Sequence, residues 1–107
     1  MSETTHSAFF GDAKYPFILT PALIRELETK CGAGVGLIVQ RVNDRTFYHA
    51  DLIEIVRLAL IGGGADAKRA AEMIDAYAKP QPIEPLHLLA TDIINAAWFG
   101  AATELGY

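Results

Sequence analysis

Cysteine is almost absent. Cys31 is the one thiol in the chain, which excludes an intrachain disulfide framework and any zinc site built on paired cysteines. A lone thiol also suits a reducing compartment. Basic residues are in short supply too, nine Lys and Arg against thirteen Asp and Glu, for a formal charge of −4. That sign opposes a phosphate backbone, so nucleic acid is not expected as a direct ligand. No run approaches the roughly 20 apolar residues needed to cross a bilayer. The opening MSETTHSAFF lacks both the basic stretch and the long apolar stretch of an export signal, so a cytoplasmic protein without a membrane partner is expected. Repeats at solenoid spacing, low-complexity tracts and heptad runs are also missing, which sets aside repeat arrays and coiled coils.

What is present is a globular balance, 51% hydrophobic and 21% charged over 107 residues. That is enough for one core and too short for a separate cofactor domain. The expected organisation is a single domain, 1–107, of the mainly α (α+β) class: a small helical bundle of four to five helices over 20–102 behind an N-terminal β-hairpin over 6–19. His6 to Phe10 and Tyr15 to Leu19 are rich in aromatic and β-branched residues and flank the turn-forming Gly11-Asp12-Ala13-Lys14, the pattern of a hairpin. Pro16 cannot donate to a ladder, so its strand belongs at an edge. Thr20-Pro21 opens a first helix, through Lys30, in which Leu23, Ile24 and Leu27 face inward, and Gly32-Ala33-Gly34 closes it.

Val35 to Val42 fits strand or helix by periodicity, and a short helix is favoured. Asn43-Asp44-Arg45 is turn-like, and Thr46-Phe47-Tyr48 a brief extended connector. Asp51 with Glu54 has capping-box spacing and predicts a helix from Leu52 with Asp51 as its cap. From Leu52 to Ile61 only Glu54 and Arg57 are polar, and a helix apolar nearly all round belongs at the centre of a bundle. Gly62-Gly63-Gly64 stops it. Asp66 then caps a fourth helix through about Ala78, with Ala70, Ile74, Tyr77 and Ala78 along one side. Lys79-Pro80-Gln81-Pro82 is a stiff separator. The last helix is predicted from near Pro85 past Phe99, with Leu86, Leu89, Ala90, Ile93 and Ala97 inward and His87, Thr91 and Asn95 outward. A frayed tail from Gly100 is expected.

Chemistry is hard to find in this order of residues. GGGADAK invites comparison with a phosphate loop, but Lys68 follows a helix and precedes an arginine, so helix termination is the better role for the glycines. His49-Ala50-Asp51 offers two metal ligands where a site needs three or four that converge, and a helix cap beside a surface histidine accounts for both. His87 with Thr91 and Asp92 fits a solvated helix face. Cys31 lies near a helix C-terminus, whose negative dipole end raises a thiol pKa, so a half-buried filler is expected rather than a nucleophile. Glu26 and Glu28 point in different directions on their helix and form no carboxylate pair. No catalytic residue, metal ligand or cofactor is therefore assigned, and a non-enzymatic protein is expected. A small enzyme or metal protein ranks third among the functions considered.

What remains is apolar surface. Ile94, Trp98 and Phe99 extend beyond the inner stripe of the last helix, and Phe9, Phe10, Tyr15 and Phe17 load the hairpin. Aromatics carry much of the energy of protein contacts, so Ile94, Trp98 and Phe99 are the candidate partner-binding residues. The competing use of the same side chains is internal, with the hairpin packed on the bundle and Trp98 sealing the joint.

Taken together, FILTPALIRELETKCGAG, ADLIEIVRLALIGGG and PLHLLATDIINAAWFGA resemble the gene-transfer-agent family of small phage tail proteins, usually grouped with tail assembly chaperones. The likeness spans about Phe17 to Ala101. It is carried by the Leu19-Thr20 entry into Ile24 to Glu28 and by the block from Asp51 to Gly64, while the hairpin turn, Gly11-Asp12-Ala13-Lys14-Tyr15, departs from the family's pattern. The resemblance implies a protein for building a siphophage-like tail in a bacterial host cell. It would be a chaperone that keeps the tape-measure protein soluble and recruits tail-tube subunits, with the tape-measure and tail-tube proteins as partners. The alternative is a structural subunit of the tail, a homo-oligomeric ring or tube component that uses the hairpin edge for strand addition.

Overall fold

Gly11 and Asp12 make a two-residue turn, with Gly11 at φ +67°, the left-handed first position that a type II′ hairpin turn gives to glycine. The turn joins β1 (His6–Phe10) to β2 (Ala13–Phe17), paired antiparallel with Phe10 opposite Ala13, Ala8 opposite Tyr15 and His6 opposite Phe17. Five helical segments follow in this computed structural model, which describes residues 4–100. They are α1 (Pro21–Cys31), α2 (Val35–Asp44), α3 (His49–Gly62), α4 (Ala67–Met73), prolonged by a π-helical turn over Ile74–Ala78, and α5 (Ile83–Phe99). The mainly α fold with one hairpin is thus the observed architecture. The end of the expected bundle at 101–102 and the tail beyond Gly100 lie outside the described residues.

Helix α3 is the axis. Leu52, Ile55, Val56, Leu58, Ala59 and Leu60 are all buried, and α1, α4, α5 and β2 pack around it. Its nearly all-apolar sequence is therefore matched by neighbours on most sides. The inward faces of the hairpin join the same core through Phe10 and Phe17. Phe17 meets Phe10 edge-to-face at 6.0 Å, and Phe10 meets Tyr77 of the π-helical turn in the same way at 5.8 Å. The rings form a ladder from hairpin to bundle.

Several helix ends differ from their sequence-based positions. Helix α2 starts at Val35 as expected but runs on through Asn43 and Asp44, expected as a turn, and α5 starts at Ile83, two residues before Pro85. Helix α3 begins three residues before Leu52, at His49, and Asp51 is the third residue of its first turn rather than its cap. The Asp51 carboxylate reaches back to accept from the Tyr48 amide at 2.8 Å, while the Asp51 amide donates to the Tyr48 carbonyl at 2.9 Å. The acceptor half of a capping box is present without a Ser or Thr to signal it. Helix α2 starts behind Gly34, which has no side chain to offer. Glu28 of α1 caps it instead, its Oε2 accepting from the Val35 amide at 2.8 Å. Glu28→Ala should cost about 1 kcal/mol, the scale of a lost N-cap, with Glu28→Gln retaining part of it; urea unfolding midpoints of the two variants check this.

The triple glycine does more than stop a helix. Gly64, at φ +118°, supplies the terminating backbone conformation. Gly62 and Gly63 have no such requirement. A Cβ on Gly62 would collide with the Ile18 carbonyl, and one on Gly63 with the Pro16 carbonyl. The outer edge of β2 therefore lies directly against the C-terminal turn of α3, and the Ile18 amide donates to the Ala59 carbonyl at 3.0 Å.

Candidate interaction surface

The exposed face of α5 arises from its own periodicity. Leu86, Ala90, Ile93 and Ile94 are buried, leaving Leu88, Asp92, Trp98 and Phe99 outward. Of the three predicted partner-binding residues, Ile94 is corrected: it has no exposed surface because it packs into the core one turn from Ala90. Trp98 (53% exposed) and Phe99 (65%) do face outward. Trp98 does not seal the hairpin joint; its ring sits over Gly36 of α2, 4.0 Å from where a Cβ would stand. The joint is made by Phe10, Phe17 and Tyr77.

Of His87, Thr91 and Asn95, expected outward, His87 and Asn95 instead join α5 to α2, while the Thr91 hydroxyl donates to the His87 carbonyl of its own helix at 2.7 Å. His87 is buried, stacks on Phe47 at 4.8 Å and places Nε2 2.7 Å from the Val42 carbonyl. A carbonyl only accepts, so Nε2 carries the proton. Asn95 and Asn43 exchange two side-chain amide bonds, both 3.1 Å. Polar residues with side-chain partners on a neighbouring helix are indistinguishable in sequence from a solvated stripe.

A second exposed apolar region lies at the hairpin. Phe9 is 71% exposed. With Phe10, Tyr77, Pro80, Pro85 and Leu89 it lines an open groove of about 410 Å³ between the hairpin tip and the start of α5. At the hairpin turn Asp12 stands 3.6 Å from Arg69 of α4. The Tyr15 hydroxyl donates to Asp12 at 2.6 Å, and this bond holds the Tyr15 pKa above its ordinary value. Further along β1, His6 Nε2 stands 3.7 Å from Asp92 of α5.

The remaining titratable groups brace the bundle. Asp51 is buried and lies 3.4 Å from Arg41, whose guanidinium also covers the Tyr48 ring at 5.4 Å. Arg57 binds Glu54 through two bonds of 2.8 and 2.9 Å and approaches Glu26 at 3.7 Å. The Arg57 hydrogen bonds hold the Glu54 carboxyl below its ordinary range. The Cys31 thiol is pushed up to about 12, first by burial and then by the Asp51 charge. The direction matches the sequence expectation, though burial is the leading cause. Native Cys31 should therefore react with a disulfide reagent at pH 8 far more slowly than the urea-unfolded chain, as timed thiol release measures.

His49 is exposed at the start of α3, whereas His87 is buried. Among the described residues no group of three or more His, Cys, Asp or Glu side chains could hold a metal ion, and no described helix is long and apolar enough to cross a membrane. The arrangement can bury apolar surface from another polypeptide at two places, the hairpin with its groove and the outer face of α5. A family model described as phage tail tube protein, GTA-gp10, matches residues 3–100. Among curated proteins and among solved structures nothing matches the chain.

Proposed function

We infer a structural role in the tail for this chain, which belongs to the phage tail tube protein, GTA-gp10, family. It is a tail protein of phage or gene-transfer-agent type. Within that class we read it as a subunit built into the tail, contacting its own copies and other tail proteins and carrying no chemistry of its own. The observation that carries this reading is the family match over nearly the whole chain. Support comes from the large apolar side chains held outward on rigid elements, Phe9 on β1 and Leu88, Trp98 and Phe99 on α5, which suit burial against other subunits.

The groove favours a second reading, an assembly chaperone. An open apolar trough lined by Phe9, Phe10, Tyr77 and Leu89 could take the apolar face of a helical client such as the tape-measure protein. Antibody labelling of intact particles separates the two: decoration of the tail supports the subunit reading. Unlabelled tails, together with a tape-measure protein that becomes soluble only when co-expressed with this chain, would replace it with the chaperone.

A further inference from the structure

Only one edge of the hairpin is closed. In a hairpin with a two-residue turn, the pair flanking the turn exchanges hydrogen bonds and the pairs alternate from there. Phe10–Ala13, Ala8–Tyr15 and His6–Phe17 are therefore bonded pairs, and Phe9–Lys14 and Ser7–Pro16 are not. The backbone groups of Lys14 and Pro16 point away from β1, and those of Ser7 and Phe9 point away from β2. On the β2 side the edge is shut at Pro16, which has no amide hydrogen and whose carbonyl abuts Gly63 just after α3, and the remaining outward position is the charged Lys14. On the β1 side, among the described residues, Ser7 and Phe9 have no backbone bond to any other element, and both residues are exposed.

Sheet edges are usually guarded by Lys, Pro or other charged residues. Here Lys14 and Pro16 both stand on β2, while β1, His-Ser-Ala-Phe-Phe, has neither proline nor a permanent charge.

We propose that the outer edge of β1 is a self-association contact, closed by the same edge of a second copy of this chain running antiparallel about Ala8. The choice of a second copy builds on the tail-subunit reading, and two features of the strand favour it. First, antiparallel pairing about Ala8 sets Ser7 opposite the second copy's Phe9 and makes each edge satisfy the other's donors and acceptors. The two exposed Phe9 rings then become diagonal neighbours on one face, within reach of each other. Second, a chain of net charge −4 repels its own copies, and the uncharged β1 is where two of them approach at least cost. Because Pro16, lying against Gly63, and the charged Lys14 block the outer edge of β2, strand addition stops at four strands. The contact yields a closed two-fold dimer, not a ring, so a ring or tube needs another surface for its remaining contacts.

Ser7→Pro tests this, since it removes an outward amide hydrogen as Pro16 already does on β2 and spares the β1–β2 bonds. In sedimentation equilibrium the wild-type chain should show a monomer–dimer equilibrium, and Ser7→Pro should weaken it by at least about tenfold, because symmetry deletes one bond from each copy. Should Ser7→Pro lose its fold by circular dichroism, Phe9→Lys, which leaves the ladder intact and sets two cations near each other, serves in its place. Amide exchange of Ser7 and Phe9 in the wild type should be slow in concentrated solution and fast on dilution. A monomeric mass at every concentration, a dimer indifferent to the folded variant, or fast exchange throughout would overturn the proposal. These results come from the purified chain alone and do not depend on whether particles contain it, so the dimer and the tail-subunit reading can fail separately.

Discussion

Gly63→Ala should destabilise the protein by about 3 kcal/mol or more, at the upper end of overpacking penalties, and Gly62→Ala should do nearly the same. The new Cβ would meet main-chain carbonyls, those of Pro16 and Ile18, and a backbone cannot rotate out of the way as a side chain can. The strand leading into α1 has to lift from α3, taking with it the Ile18–Ala59 hydrogen bond. The sign is informative at Gly62, which is the last residue of α3. Helix propensity alone favours alanine there by up to about 1 kcal/mol, so a loss of stability shows that close approach prevails. Gly64→Ala supplies the comparison. An alanine methyl there would have nothing within 4 Å, but the residue sits at φ +118°, so its cost is conformational, about 1–2 kcal/mol. Urea unfolding midpoints of the three variants should fall in that order.

Phe17→Ala should cost about 3–5 kcal/mol, a large share of the total stability of a small domain. Phe17 is fully buried and forms the inner rung of the aromatic ladder through Phe10 to Tyr77. Removing it leaves a cavity where hairpin, α3 and the π-helical turn meet. Phe9→Ala, on the same hairpin but 71% exposed, should change monomer stability by less than about 0.5 kcal/mol. Thermal melts of the two variants, recorded at low protein concentration, should separate the hairpin's core-facing ring from its outward-facing one.

Patterns confined to one segment were legible in the sequence. The hairpin, the Thr20-Pro21 start of α1, the central apolar α3 and the Asp66 cap of α4, whose Oδ1 accepts from the Arg69 amide at 2.7 Å, all follow from local spacing. What escaped depends on a partner element. Ile94 differs from Phe99 only in which neighbours it meets, so its burial could not be read from α5 alone. His87 and Asn95 look like a wet stripe until Val42 and Asn43 of α2 are set beside them. Glu28 caps a helix seven residues away, and Gly62 and Gly63 serve a contact with a strand some 45 residues earlier. The surface shows the same division: Trp98 and Phe99 are outward as predicted, but which hairpin edge stays open became visible only once Pro16 of β2 was seen to lie against Gly63.

A tail chaperone and a tail subunit can both display apolar surface, and they part company when assembly is finished. Quantitative mass spectrometry of purified, nuclease-treated particles, counting copies of this chain against the other tail proteins, tests the structural role most directly. The account predicts a fixed number of copies in every tailed particle, unchanged by washing in high salt. Particles with complete tails that lack this chain, from cells whose lysates contain it, would contradict it.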